Sequence, residues 1–254
     1  MATDEVLTSL CQKGNRIPTL RLYSWSPPAV SIGYFQKIDS TVNVNKCKKF
    51  GVDVVRRLTG GRAVLHQDEL TYSVCASVEN FPELGNSVNQ TYQEISLAFL
   101  EVLKVLGVKG EWVKSTPRQK KEKSCEPCFV SSSKYEINIS SKKLIGSAQR
   151  RFGKVFLQHG SIPLKASIKS LACFLPQKED ADKIEKLLHQ QSSNIQELSN
   201  QKIELEDMVK AVKYGLKEYF KIEFVEQDLS DEELDRIEKL AQDRYSKNWW
   251  NFFR

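Results

Sequence analysis

The residues best suited to chemistry lie near the middle of the chain, in the segment CEPCFVSSSKYEINI. Cys125 stands three positions before Cys128, which is the spacing of a zinc-binding or dithiol redox pair. A zinc site needs two more ligands, and the sequence holds no second pair of this kind. A redox pair would normally open a helix after a buried strand, whereas this pair follows a charged loop. The alternative is a nucleophilic thiol at Cys128 that a nearby cation keeps as the reactive thiolate.

A lysine that can supply this cation follows in SSKKLIGSAQRR. Lys143 begins a predicted strand in which Gly146 and Ser147 allow another group to approach closely. Lysine is rarely buried, so a lysine directed into a site usually meets an anion or a carbonyl group. The ordinary alternative is a surface charge at a hairpin end. Lys142 is expected to face solvent, because neighbours on a strand point to opposite faces.

The histidines give weaker signals. His159, in LQHGS, and His66 each stand within an apolar strand pattern. A lone histidine there is more often a hydrogen-bonded structural residue than a base, and His189, on a polar helix end, has no predicted role.

A glycine loop is predicted in the segment RRLTGGRAVLHQDELTYS, from Arg56 to Ser73. The pattern indicates a strand, a glycine loop, a strand, a turn and a strand. Gly60 and Gly61 lack Cβ atoms, so the backbone can take a positive φ and a ligand can lie against it. An ordinary hairpin turn is the alternative. No Gly-Lys-Ser/Thr follows, so a phosphate-binding loop is not predicted.

Composition limits the class of protein. The 254 residues are 40% hydrophobic and 28% charged, and no apolar run approaches the length of a membrane span. Acidic residues near the start argue against a signal peptide, so we expect a cytoplasmic protein. The net charge of +6 is low for a nucleic-acid binder but favours acidic partners. The basic segment Lys114 to Lys123 is either a solvated loop or a docking patch for an acidic protein.

The predicted elements give an α+β fold with mixed, mainly antiparallel sheets flanked by helices. A Ser87 N-cap and a Ser230–Glu233 capping box mark two helix starts, and a third helical pattern opens at Asn200 and runs to Phe220. The aromatic tail KNWWNFFR is expected to dock onto the body. Strands are predicted at Ile17 to Trp25, Val30 to Phe35, Val52 to Arg57, Ala63 to His66, Leu70 to Val78, Tyr135 to Ile139, Lys143 to Ala148 and Val155 to Leu164.

These motifs, in this order and at these distances, resemble the lipoyl/biotin protein ligase superfamily, and within it the Bacillus-type octanoyltransferases. The resemblance covers nearly the whole chain, from SIGYFQ to DLSDEELDRIEKLAQDRY. It implies a catalytic domain like those of class II aminoacyl-tRNA synthetases and biotin synthetases. We expect a single catalytic domain over residues 1–254, with a helical C-terminal extension from about residue 200.

The resemblance implies an enzyme that moves octanoyl from octanoyl-acyl carrier protein to a lysine of a lipoyl domain or of the glycine cleavage H protein. Cys128 then matches the acyl-accepting nucleophile, and Lys143 matches the lysine of the Lys-x-x-Gly-Ser-Ala-Gln motif. No ATP is needed, because passing an acyl group from a thioester to an amine is downhill, and no cofactor, metal, nucleic acid or membrane is expected. The expected substrate-binding residues are Arg56, Arg57, Thr59, Gly60, Gly61, Arg62, His66, Gly146, Ser147, Ala148, His159 and Gly160.

Two rival functions remain at this point. ATP-dependent lipoate ligases tend to have a third glycine where Arg62 stands, and a Gly-Asn pair where this chain has Glu69 and Leu70. A non-catalytic homologue that binds carrier proteins would tolerate the loss of Cys128, which this chain keeps. Cys125 is not part of the family pattern, and it is either a competing nucleophile or the partner of an inactivating disulfide.

Overall fold

Two β-sheets carry the predicted site residues in the computed structural model, which describes residues 1–108, 111–114, 135–139, 142–167, 169–176 and 178–253. Among the strands that the structure describes, only β2 and β3 pair in parallel, so the expectation of mixed, mainly antiparallel sheets is confirmed. One sheet has the order β1 (Thr19–Tyr23), β5 (Glu69–Ser77), β9 (Val155–Pro163), β8 (Lys142–Phe152), β7 (Tyr135–Ile139) and β6 (Glu111–Lys114). The other has the order β3 (Asp53–Arg56), β2 (Ala29–Ile32) and β4 (Val64–His66).

Helices pack against both sheets. They are α1 (Ala2–Gln12), α2 (Ile38–Thr41), α3 (Val44–Lys49), α4 (Val88–Val105), α5 (Lys178–Gln191), α6 (Ile195–Leu198), α7 (Leu205–Phe220), α8 (Asp231–Leu240) and α9 (Asn248–Asn251). Two 3-10 turns, Pro82–Leu84 and Leu171–Phe174, and a π-helical turn, Ala241–Tyr245, complete them. Within the described residues, no helix is long and apolar enough to cross a membrane.

Strand β5 is central because both of its faces are buried. Alternate side chains point to opposite faces of a strand. Leu70 and Tyr72 enter the main core, which includes residues of α4 and α7, whereas Ser73 and Cys75 meet α1 on the other face. The sheet is therefore a rigid wall between two packed layers.

Several local predictions are confirmed. Ser87 accepts a hydrogen bond from the backbone of Gln90 at the start of α4, and Ser230 and Glu233 form the capping box of α8. Other expectations were wrong. The sequence predicted strands and no helices before Ser87, whereas α1, α2 and α3 lie in that part of the chain. Helix α7 begins at Leu205 rather than Asn200, because Glu204 and Asp207 form its capping box.

The aromatic tail docks onto the body, as expected, and Arg56 is the residue that holds it. The Arg56 side chain is fully buried, and its guanidinium donates to the backbone carbonyls of Asn251, Gly33 and Gln36 at 3.0, 3.0 and 2.7 Å. The Arg56 backbone N–H donates to Asn251 Oδ1 at 2.9 Å, and Trp250 Nε1 donates to the Arg56 carbonyl at 3.0 Å. The C-terminal segment is thus joined to β3 by buried hydrogen bonds.

Replacing Asn251 with alanine should weaken this joint. The Arg56 N–H would lose its acceptor while buried, so we expect the free energy of unfolding to fall by about 1–3 kcal/mol in urea titrations. Asn248→Ala is the matched control, because this residue lies on the same short helix but is exposed; it should change stability by no more than about 0.5 kcal/mol. Equal losses in the two variants would contradict the assigned role of the joint.

Candidate active site

A cavity that is partly open to solvent lies between the two sheets, beside the glycine loop that joins β3 to β4; the empty space there is about 360 Å³, including solvent at its mouth. Seven of the expected substrate-binding residues line it, and they come from β4, β8, β9 and the loop start: Arg57, His66, Gly146, Ser147, Ala148, His159 and Gly160. The remaining lining residues are Met1, Tyr23, Trp25, Ser31, Val64, Thr71 and Ser161.

The glycine loop packs against the end of β2 at unusually short range. A Cβ atom on Gly33 would lie 2.0 Å from the Gly61 carbonyl oxygen, so only glycine fits at that position. Gly61 itself has a φ of +88°, which favours glycine as the sequence predicted. The backbone N–H of Tyr34 donates to the Thr59 carbonyl at 2.9 Å and completes the contact. The loop is therefore a fixed wall and not a free hairpin turn.

The guanidinium of Arg57 holds this loop from the cavity side. It donates to the carbonyls of Gly60 and Arg62 at 2.9 and 2.7 Å, and to the Ser31 carbonyl at 2.9 Å. Arg57 is buried, with 3% of its surface exposed. One cation thus joins the loop to β2 and places positive charge at the cavity wall.

His159 attaches the loop to the larger sheet. Its Nε2 lies 2.7 Å from Thr59 Oγ1, and its Nδ1 lies 3.7 Å from Asp4 Oδ2. Burial lowers the pKa of His159, although the Asp4 carboxylate opposes this shift. Burial alone would raise the pKa of Asp4, but His159 and Arg21 reverse this and hold it below its usual range. The prediction of a hydrogen-bonded His159 is confirmed.

His66 is hydrogen-bonded on both ring nitrogens. Its Nε2 lies 2.7 Å from Ser31 Oγ, and its Nδ1 lies 2.6 Å from Glu69 Oε1. Because Ser31 Oγ already accepts from Arg57, its own proton is directed to His66 Nε2, and Nδ1 donates to the carboxylate. The ring also stacks on Trp25, with centroids 4.4 Å apart. This histidine forms a wall of the cavity between an indole and a buried carboxylate.

The Glu69 carboxylate is buried and saturated with donors. Besides His66, it accepts hydrogen bonds from Thr71 and from Ser161. Thr71 in turn accepts from Trp25 Nε1 at 2.9 Å. The polar groups of this wall are bonded to one another, so an apolar ligand in the cavity would leave none of them without its partner.

Gly160 also allows two side chains to meet in the core behind the cavity. A Cβ there would lie 2.5 Å from the Tyr72 ring and 2.6 Å from Ser147 Oγ, and these two side chains meet across the glycine with an oxygen separation of 2.7 Å. The absence of a side chain thus lets β5 and β8 hydrogen-bond over β9. Ser147 is placed by the sheet and not by a flexible loop.

Five of the expected substrate-binding residues do not line the cavity. They support it instead, since Arg56 holds the tail, Thr59 bonds His159, and the other three form the loop itself: Gly60, Gly61 and Arg62. A direct substrate contact by any of them stays a prediction.

The two predicted catalytic residues differ in what the structure describes. Lys143 is buried, with 5% of its surface exposed, near the start of β8, and its carbonyl accepts from the Ser193 N–H at 3.1 Å. The expectation of a surface charge at a hairpin end is therefore excluded. Cys128, Cys125 and residues 115–123 of the basic segment lie outside the described residues. The catalytic roles of Cys128 and Lys143 stay predictions.

Trp25 and Gly33 are site residues that the sequence reasoning missed. Trp25 ends a β-rich segment whose burial face was not assigned, and Gly33 stands in the SIGYFQ motif. A glycine directly after an apolar strand is a sign of close backbone approach. This was the signal in the sequence by which Gly33 could have been found.

Gly33→Ala should move the loop. The added methyl group overlaps the Gly61 carbonyl, so we expect a loss of about 1–3 kcal/mol in the free energy of unfolding, measured in urea. Gly60→Ala is the control in the same loop, because its Cβ would meet only Phe35, at 4.0 Å, and its stability should change by no more than about 0.5 kcal/mol. A tolerated Gly33→Ala would contradict the close packing of the loop.

Known proteins match this chain over almost its full length. Octanoyltransferase LipM of Clostridioides difficile is 37% identical over 253 residues, covering 99% of this chain and 93% of the relative. Octanoyltransferase LipM of Brevibacillus brevis is 39% identical over 260 residues, covering 100% of this chain and 94% of the relative.

Solved structures support the fold. Lipoate-protein ligase A bound with ATP superposes with a TM-score of 0.78 at 23% identity, covering 99% of this chain and 92% of that one. The bi-partite lipoate protein ligase of Thermoplasma acidophilum gives a TM-score of 0.77 at 22% identity, covering 98% and 91%. The expected fold class is thus confirmed.

The sequence profile of the family described as "Lipoyl protein ligase A/B catalytic domain" matches residues 1–217. The chain therefore belongs to the lipoyl protein ligase A/B catalytic domain family.

Proposed function

We propose that the protein transfers octanoyl from octanoyl-acyl carrier protein to a lysine of a lipoyl-accepting domain, through a thioester on Cys128. The observation that carries the proposal is the cavity beside the glycine loop, in whose wall His66, Thr71 and Ser161 are all hydrogen-bonded to the Glu69 carboxylate. Each methylene moved from water into such a cavity contributes about 0.8 kcal/mol, so a slot of fixed depth selects chain length.

The protein is an acyltransferase, as its full-length relatives indicate. The proposal adds the donor, the acceptor and the covalent intermediate. It also assigns residues 1–254 to one catalytic domain, acting in the cytoplasm without nucleic acid, membrane or cofactor. The acceptor is a lipoyl domain or the glycine cleavage H protein.

The first half-reaction transfers the acyl group to the enzyme. The Cys128 sulfur attacks the thioester carbonyl carbon, the bond from that carbon to the carrier sulfur breaks, and the thiol proton of Cys128 passes to the departing sulfur. Negative charge develops on the carbonyl oxygen during the attack. The ammonium of Lys143 stabilises this charge, and its burial strengthens the interaction because little water screens it.

The second half-reaction restores the enzyme. The neutral amine of the acceptor lysine attacks the acyl carbon, the bond to Cys128 breaks, and a proton from the amine returns to the sulfur. An amide replaces a thioester, so the sequence of steps runs downhill without ATP. Arg57, His66 and His159 stay in place throughout as walls of the acyl cavity.

Two features favour transfer over ATP-dependent ligation. Arg62 stands where ligases tend to have a glycine, and its carbonyl is held by Arg57. Glu69 stands where ligases tend to have the first residue of a Gly-Asn pair, and it places a buried carboxylate beside the cavity. A nucleotide phosphate placed at the buried inner end, next to Glu69, would be repelled by this carboxylate.

The proposal is tested by incubating the protein with octanoyl-acyl carrier protein in the absence of ATP. Intact-mass measurement should show the gain of one octanoyl group, which Cys128→Ser abolishes and Cys125→Ser retains. Lys143→Ala should slow acylation by roughly 10²-fold or more, because a charge-stabilising group is lost at the reacting oxygen.

Other outcomes decide between the rivals. Labelling that requires ATP and free octanoate would establish a ligase, and no labelling under either condition would leave a non-catalytic binding protein. Loss of labelling in Cys125→Ser but not in Cys128→Ser would move the nucleophile to Cys125.

A further inference from the structure

A second, larger groove adjoins the acyl cavity. It is open to solvent, has about 1130 Å³ of empty space including that solvent, and shares Val64 and Ser161 with the cavity as common walls. Its inner end is buried at these residues and at Glu69, and its outer end is exposed at Lys165 and His189. A ligand with an apolar tail in the cavity would therefore continue into this groove on its way to solvent.

The groove passes beside the predicted catalytic lysine. Its floor includes Ser192 and Asn194, and the segment between them pairs with the start of β8 through the Ser193 N–H and the Lys143 carbonyl, 3.1 Å apart. A donor arm that lies along the groove would thus pass close to the backbone of Lys143.

The lining mixes hydroxyl and amide groups with a few apolar side chains. Gln67, Ser167 and Ser170 offer hydrogen-bonding groups, whereas Leu171 and Leu188 offer apolar contact. This mixture suits an extended ligand that alternates amide groups with short aliphatic segments.

Two lysines give the groove a positive rim. Lys142 and Lys165 line it, and neither ammonium forms an ion pair or a hydrogen bond with any residue that the structure describes. The carboxylates of the groove are occupied, since Glu69 accepts from His66, Thr71 and Ser161, and Glu197 accepts from Ser193 Oγ at 3.2 Å. An anionic group would therefore be attracted to the lysines.

We propose that this groove binds the phosphopantetheine arm of the acyl donor, with the octanoyl chain in the cavity, the amides along the groove and the phosphate at Lys142 and Lys165. The inference rests on the proposed function, because it assumes a thioester donor. The arm has two amides, a branched aliphatic segment and a phosphate at the end remote from the sulfur, and the groove offers hydroxyl and amide groups, apolar side chains and two lysines to match them.

The test compares two small donors that differ only in the phosphate, octanoyl-phosphopantetheine and octanoyl-pantetheine. The rate of Cys128 acylation is followed by intact mass over a range of donor concentrations. The wild-type protein should acylate from both and prefer the phosphorylated donor roughly tenfold or more, the effect of a charge-assisted hydrogen bond. The double variant Lys142→Gln, Lys165→Gln should lose this preference while keeping its rate with octanoyl-pantetheine.

Lys169→Gln is the control for nearby charge, because its ammonium lies over the Phe50 ring at 4.5 Å and outside the groove lining; it should keep the preference. Equal use of the two donors by the wild-type protein would overturn the inference and leave the proposed function intact. So would an equal loss with both donors in the double variant. If octanoate and ATP label the protein and only that reaction responds to the two lysines, the groove is a nucleotide site. Labelling from octanoyl-acyl carrier protein but from neither small donor would overturn the inference alone, and failure of all three donors would refute the proposed function as well.

Discussion

A buried guanidinium holds the site together. Arg57 donates to carbonyl groups on both sides of the glycine loop and on β2. Backbone carbonyls buried without donors would be costly, so this one cation both satisfies them and fixes where the loop can lie. The loop then comes so close to β2 that only glycine is possible at position 33. The cavity owes its shape to this constraint, since its walls belong to elements that Arg57 and His159 join.

Other buried polar residues of the site also join one structural element to another. His159 joins the loop to the larger sheet through Thr59, while His66 and Glu69 join the smaller sheet to β9 through Ser161. These polar residues bond mainly to one another, which leaves an apolar interior beside a polar groove. An acyl chain and its carrier arm need these two environments in succession.

Local sequence signals predicted the parts of this arrangement that depend on neighbours in the chain. The Ser87 cap, the Gly61 conformation and the strand order around the loop all follow from short-range chemistry. The different roles of Arg56 and Arg57 do not follow from short-range chemistry. Adjacent strand residues must face opposite ways, but which of them meets the cavity depends on a tail almost two hundred residues later. Similarly, Glu69 was noticed only as a departure from ligases, since its partner Ser161 is distant in sequence.

The central claim is that the cavity beside the glycine loop receives the acyl chain while Cys128 carries it. A crystal structure of the protein after reaction with an octanoyl thioester, without ATP, tests this most directly. We predict continuous density from the Cys128 sulfur into the space between Trp25, His66 and Ala148. Density for the chain on another residue, or outside that cavity, would contradict the claim.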